Sequence, residues 1–319
     1  MNRRIAPAIL LISALLMPNF SFSAPGADGP PNSSRIVFLG DSITHSGEYV
    51  TYLEASLLTH FPEREHEIID VGLPSETVSG LSEPGHAGGA FPRPNLHERL
   101  DRVLQKLKPN LVIACYGMND GIYYPFGEDR FAAFTNGILR LRQKVLASGA
   151  DIIHLTPPVF DAVPLKGKTL PAGLKEYRQP YVGYDDALAR YSEWLLSQRT
   201  NAWQVIDIHG PMKRELERRR QQNPSFAFAA DGVHANAEGH LIMTKQILRA
   251  WNVDASFEPK DHQELIGLIR KRQKLMTDAW LTEIGHLRPG MTKGLPVAEA
   301  LKQRPALNEQ INLYLQKHR

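Results

Sequence analysis

The chain has one cysteine in 319 residues, Cys115, so it can form no intrachain disulfide and cannot build a zinc site on thiolates. Stability must come from a buried core. It also lacks an excess of either charge: 37 Lys and Arg against 34 Asp and Glu leave a formal +3. A nucleic-acid binder draws most of its affinity from neutralised phosphates, so this near-neutral balance argues against nucleic acid as a partner. Long apolar runs are scarce as well. The one candidate, residues 5–17, is shorter than the roughly 20 residues a membrane-spanning helix needs, so no stable membrane insertion is expected. His209, His240 and His286 lack the partner spacing of a metal site, and no metal or other cofactor is expected. With 42% hydrophobic and 22% charged residues, the chain has enough apolar surface for a full globular domain.

The short apolar run has a different meaning. It follows Asn2-Arg3-Arg4 and precedes Ser21-Phe22-Ser23, the basic start, apolar centre and small-residue end of a secretory signal peptide. Cleavage after Ser23 is expected, with export to a periplasm or to the outside. No cysteine stands at the cleavage point to carry a lipid anchor. Residues 24–34, rich in Gly, Pro, Asn and Ser, read as a linker, 35–251 as the main domain, and 252–319 as a helical extension.

Within the main domain, short apolar runs at 35–39, 67–71, 111–116, 151–155 and 204–208 read as buried strands. Helical periodicities at 49–60, 96–107, 129–147 and 185–198 lie between them, and 237–251 forms a last helix behind Asn236 as N-cap. Asn95 followed by Glu98 resembles a capping box. Strand and helix alternate five times, which predicts a parallel sheet covered by helices on both faces, with any ligand site beyond the carboxyl ends of the strands. Two connections, 72–94 and 156–184, are too long for simple turns and leave those ends. Long connections in compact domains are commonly binding loops or lids.

Four separate elements fall at that edge. Gly40-Asp41-Ser42 follows the first strand and exposes a serine at a strand-to-helix turn. Asp231-Gly232-Val233-His234 precedes the last helix; an Asp three residues before a His can accept its Nδ1 proton and leave Nε2 to take a hydroxyl proton from Ser42. Asn119 follows the third strand, where its carboxamide N–H suits a developing oxyanion, as do the backbone N–H groups of Gly72 and Ser42. Each residue alone is also an ordinary turn former or surface group. Their convergence on one sheet edge makes the set specific.

These blocks, Gly40-Asp41-Ser42, Gly72, Gly117-Met118-Asn119-Asp120 and Asp231-Gly232-Val233-His234, resemble in order and spacing the four blocks of the SGNH hydrolases, the GDSL esterase/lipase family. The resemblance covers about residues 35–251. It implies a three-layer α/β/α sandwich with a flavodoxin-like, parallel five-stranded sheet. It implies Ser42, Asp231 and His234 as the catalytic triad, and Ser42, Gly72 and Asn119 as the oxyanion hole. Two departures, Asp70 where an Asn often precedes the glycine and Ala235 where Pro often follows the histidine, touch no proton transfer. The loops at 72–94 and 116–127, with Trp280-Leu281 and Gly285-His286, also resemble secreted bacterial members associated with polysaccharide breakdown.

The expected reaction is hydrolysis of a short acyl ester, O-acetyl foremost, on carbohydrate. The long loops carry Gly, Pro and polar residues rather than the apolar surface a long-chain lipase exposes. His86, Arg93, Tyr123 and Tyr184 are candidate substrate contacts. Together with Tyr124, Phe126, Tyr177 and Tyr181, the tyrosines either stack on sugar rings or anchor their loops to the core. Alternatives are a general short-chain esterase, thioesterase or lysophospholipase, and, from another class, a non-catalytic carbohydrate-binding protein. Cys115 reads as an inert core thiol, and the basic stretch 213–220 as a solvated helix face.

Overall fold

A computed structural model describes residues 29–30 and 35–318. Residues 1–23, expected to be a signal peptide, lie outside them, as does most of the expected linker at 24–34.

Five strands pair in parallel in the order β2-β1-β3-β4-β5: β1 Arg35–Gly40, β2 Glu67–Asp70, β3 Leu111–Cys115, β4 Asp151–Leu155 and β5 Gln204–Ile206. The register sets Ile36 beside Ile68, Val37 beside Val112, and Ile113 beside Ile153. Successive strand residues point to opposite faces, yet Ile36, Val37, Phe38 and Leu39 are all fully buried. Both faces of the sheet are therefore covered, which is why these strands read as continuous apolar runs rather than alternating ones.

The covering helices are α1 Ser42–His45, a single turn, α2 Glu48–His60, α3 Leu96–Leu107, α4 Glu128–Ala147, α5 Tyr184–Ser197, α6 His209–Gln222 and α7 Ala237–Ala250. Helix α2 packs on α7, where Thr244 Oγ1 donates to the Tyr49 carbonyl at 3.0 Å. Helix α4 packs on α3, and joins α5 by stacking Phe134 on Tyr191 at 4.4 Å. Asn236 caps α7 through the Gly239 N–H. Asn95 caps α3 through His97, but the reciprocal arm is absent: the Glu98 carboxylate turns to Arg102 instead. This is the expected three-layer sandwich. Strands β2 and β5 end at Asp70 and Ile206, short of their apolar runs, although the Val71 N–H still donates to the Phe38 carbonyl of β1 at 3.0 Å.

Residues beyond 252 form α8 Gln263–Ile284 and α9 Val297–Lys317. Helix α8 lies against β2, the edge strand, where Thr277 Oγ1 donates to the Asp70 carbonyl at 2.9 Å. An open strand edge is a template for wrong pairing, and α8 covers this one. Leu281 and Ile284 enter the main core, while Leu265, Ile266 and Ile269 form a second apolar cluster with Tyr52 of α2 and Ile311 of α9. Gln273 sits between Thr51 and Glu54 of α2, at 2.6 and 2.8 Å. Among the described residues, no helix is long and apolar enough to cross a membrane.

The strand order reverses between β1 and β3, so the chain leaves these neighbouring strands toward opposite faces and opens a crevice at their carboxyl ends. Ser42 follows one strand and Asn119 the other.

Candidate active site

Asp41 sits at the end of β1 and caps α1, its carboxylate accepting the Ile43 N–H at 2.9 Å. Burial pushes this carboxyl up to about 7, against the pull of that amide. The cap fixes the turn that begins with Ser42, which is half-buried. The Ser42 backbone N–H is committed to no group among the described residues. It is a first-turn amide of the kind that accepts an anion.

The loop before α7 carries His234, the candidate base. Asp231 Oδ1 accepts the amides of Val233 and His234 at 3.0 and 2.8 Å, closing a turn on its own side chain. Its Oδ2 stands 2.6 Å from His234 Nδ1, and His234 Nε2 stands 2.8 Å from Ser42 Oγ. Partial burial alone would raise the Asp231 carboxyl, but the bonds from the His234 ring and the two amides outweigh it and hold it below its usual range. An anionic Asp231 keeps the proton on Nδ1, leaving Nε2 free to accept from the serine. The side chains of His234 and Asp231 are 51% and 55% exposed, so the relay is open to an ester and to water.

Asn119 is buried in the turn that follows β3. Its Nδ2 donates to the Glu76 carbonyl at 3.3 Å, and its Oδ1 accepts from Arg93 at 2.8 Å and from the Tyr123 hydroxyl at 3.3 Å. Asp120 accepts the Ser79 N–H at 2.7 Å, and burial pushes its carboxyl up to about 6. The 72–94 loop is thereby tied to the Asn119 turn at several points. Backbone strain gathers here too: Ser75, Ile122 and Tyr123 hold left-handed conformations, with φ of 69°, 49° and 58°. Each costs on the order of 1 kcal/mol and persists only where surrounding contacts over-determine it, as they often do at functional sites.

Gly72 differs from its expected role as an oxyanion donor. Its N–H is spent on Asp70 Oδ1 at 2.7 Å, and the residue is buried. A Cβ there would lie 2.5 Å from the His45 backbone nitrogen and 3.0 Å from the Thr44 carbonyl carbon. The glycine lets the end of β2 pass against the turn that carries Ser42, so it serves close packing. The backbone donor that remains from that expectation is Ser42.

The expected substrate contacts divide. Tyr184 is fully buried; its hydroxyl accepts the Gly121 N–H and donates to the Met118 carbonyl at 3.0 and 2.9 Å. It shapes the Asn119 turn and has no surface left for a sugar. Arg93 is also buried, its Nε and one terminal nitrogen each 2.7 Å from a Glu83 oxygen and the other on Asn119. His86 is half-buried, 3.5 Å from the same Glu83, and burial together with Arg93 lowers its pKa. Tyr123 is half-buried against Tyr184 and Phe160. Tyr124 pairs with Tyr177 at 4.8 Å and Phe126 with Phe131 at 5.6 Å, so these rings anchor their loops.

Sequence patterns passed over two groups behind the site. Glu76 and Arg99 form a fully buried ion pair, bidentate at 2.6 and 2.7 Å, with the Tyr116 hydroxyl donating to Glu76 at 2.6 Å. Glu83 is the other. The partners of both are distant or irregularly spaced in sequence, so no motif flagged them. Cys115 is buried, which pushes its thiol up. Among the described residues, no group of three or more His, Cys, Asp or Glu is placed to hold a metal ion.

A serine, a histidine and a carboxylate thus meet in hydrogen-bonded order at the carboxyl edge of the sheet, where the turn after β3 carries Asn119, an arrangement suited to a serine acyl hydrolase. Residues 38–242 match the GDSL-like lipase/acylhydrolase family, and the chain belongs to that family of carboxylic ester hydrolases. No curated protein sequence matches. Among solved structures, the fold is similar to a gut microbial diltiazem-metabolizing enzyme, with TM-score 0.57 and 22% identity, covering 71% of this chain and 49% of that one. The chain thus spans about half the length of that enzyme. It is also similar to Axe2, an acetylxylan esterase from Geobacillus stearothermophilus, with TM-score 0.52 and 18% identity, covering 71% of this chain and 98% of that one. Likeness at these identities concerns the fold.

Proposed function

We propose that the chain is an exported serine esterase that removes short acyl groups, O-acetyl foremost, from carbohydrate. The observation that carries this reading is the unbroken Asp231–His234–Ser42 relay. Ser42 Oγ gives its proton to His234 Nε2 and attacks the ester carbonyl. The Ser42 N–H and the Asn119 Nδ2–H hold the negative oxygen as it forms. Collapse breaks the ester bond, and His234 returns its proton to the departing sugar oxygen. A water molecule, deprotonated by His234, then attacks the acyl-serine and releases the acid, restoring the serine.

Three considerations support the choice of substrate. The basic, apolar and small-residue order of residues 2–23 supports export. The site is open, and its long loops carry glycine, proline and polar groups rather than a broad apolar channel. Axe2, which shares the fold, is described as an acetylxylan esterase.

The test measures acetate released from acetylated xylan by residues 24–319 and by Ser42→Ala, beside a series of aryl esters of rising chain length. The reading predicts Ser42-dependent acetate release and rates that fall with chain length. Release equal in both proteins, or a preference for long chains, would overturn it.

A further inference from the structure

We infer that Arg93 is a positioning residue for the oxyanion hole: it fixes which end of the Asn119 carboxamide faces the reacting carbonyl. The inference rests on the serine esterase reading above. An asparagine amide has two nearly isosteric ends of opposite hydrogen-bonding character, and only the NH₂ end stabilises an oxyanion. Nothing in the shape of Asn119 selects between them. Its surroundings do.

On one side of the amide stand two donors, the Arg93 guanidinium at 2.8 Å and the Tyr123 hydroxyl at 3.3 Å, both directed at Oδ1. On the other side stands an acceptor, the Glu76 carbonyl, 3.3 Å from Nδ2. Turned over, the amide would set its NH₂ group against a guanidinium and its oxygen against a carbonyl. The observed orientation uses one N–H on Glu76, and the other is committed to no group among the described residues. That N–H is the one available to substrate. A cation on Oδ1 also polarises the amide, and a polarised N–H is a stronger donor.

Arg93 is itself held for this task. Its side chain is 6% exposed, and the Glu83 carboxylate grips it through two 2.7 Å bonds. The backbone N–H of Arg93 donates to Ser82 Oγ at 2.8 Å, closing the loop around it. Glu83 offsets the buried charge, and the fork geometry spans a carboxylate and an amide at once, which a lysine cannot do. The 82–93 loop is therefore coupled to the donor geometry of a residue in the turn after β3.

The experiment is a double-mutant cycle on the Ser42-dependent hydrolysis of an aryl acetate, with wild type, Arg93→Met, Asn119→Ala and the double variant. Asn119→Ala is expected to lower kcat about 10²–10³-fold. Arg93→Met is expected to lower kcat about ten- to a hundredfold with KM changed less than about twofold. The double variant is expected to be no slower than Asn119→Ala alone, because Arg93 acts only through Asn119. Arg93→Lys, which retains charge and bulk, is expected to fall between wild type and Arg93→Met, and it carries the same cycle if Arg93→Met does not fold. Multiplying losses in the double variant, or a raised KM with kcat intact, would overturn the positioning role while leaving the esterase reading in place. A rate that Ser42→Ala does not abolish would overturn that reading itself, and the role with it.

Discussion

His234 Nε2 stands 2.8 Å from Ser42 Oγ although the two residues are 192 positions apart. Each reaches that point from a different turn at the carboxyl edge of one parallel sheet. Ser42 arrives on the capped turn after β1, and His234 on a turn that Asp231 closes on itself. The contact depends on how closely β2 and its following residues pass the first turn.

Gly72→Ala tests that dependence. Its Cβ would fall 2.5 Å from the His45 nitrogen, in the backbone of the turn that bears Ser42, so that turn has to shift. Since a misplacement of about 1 Å can cost on the order of a hundredfold, kcat on an aryl acetate is expected to fall at least that far. Near wild-type kcat in a folded variant would show that the turn has room to spare.

Removing Arg99 strands a charge. Arg99 and Glu76 are both fully buried, so Arg99→Leu leaves a buried carboxylate whose remaining side-chain hydrogen-bond partner among the described residues is Tyr116. A loss of about 3–5 kcal/mol in urea unfolding is expected, and Glu76→Gln in the same chain should restore part of it. A loss under about 1 kcal/mol would contradict the account of this pair.

His154 makes stability depend on pH. It is buried on β4, stacked on Trp203 at 5.2 Å, and burial lowers its pKa to about 3. The folded protein therefore keeps it neutral while the unfolded chain takes up a proton near pH 6.5. Stability from this group is lost as pH falls below 6.5, and the loss levels off near pH 3. His154→Phe removes the proton uptake, so its stability relative to wild type should improve by about 2 kcal/mol between pH 8 and pH 5. A difference that stays constant with pH would show that His154 is not held neutral.

The parts of this protein written in local pattern were legible in its sequence. The strands announced themselves because both faces are buried, and a continuous run such as Ile36-Val37-Phe38-Leu39 records that directly. Ser42, Asn119 and His234 were visible because each follows or precedes an element whose end can be read. What could not be read was direction. No pattern shows that the Asp70 carboxylate turns back to take the Gly72 N–H, or that the Tyr184 hydroxyl points inward to the Met118 carbonyl. The same holds for Arg93, where a guanidinium in a glycine-rich loop looks available until Glu83, ten residues earlier, is seen to grip it. Helices α8 and α9 read as an appendage because their amphipathic faces do not name the surface they cover, here the edge strand β2 and helix α2.

The central claim is that Ser42 is a nucleophile activated by His234, and covalent capture tests it most directly. An aryl fluorophosphonate reacts with an activated serine hydroxyl and leaves a stable adduct that intact-protein mass spectrometry counts and peptide mapping locates. The account predicts one adduct per chain, located on Ser42, absent from Ser42→Ala and formed at least about a hundredfold more slowly in His234→Ala. No adduct on Ser42 in the folded wild-type protein, or labelling that His234→Ala leaves unchanged, would contradict it.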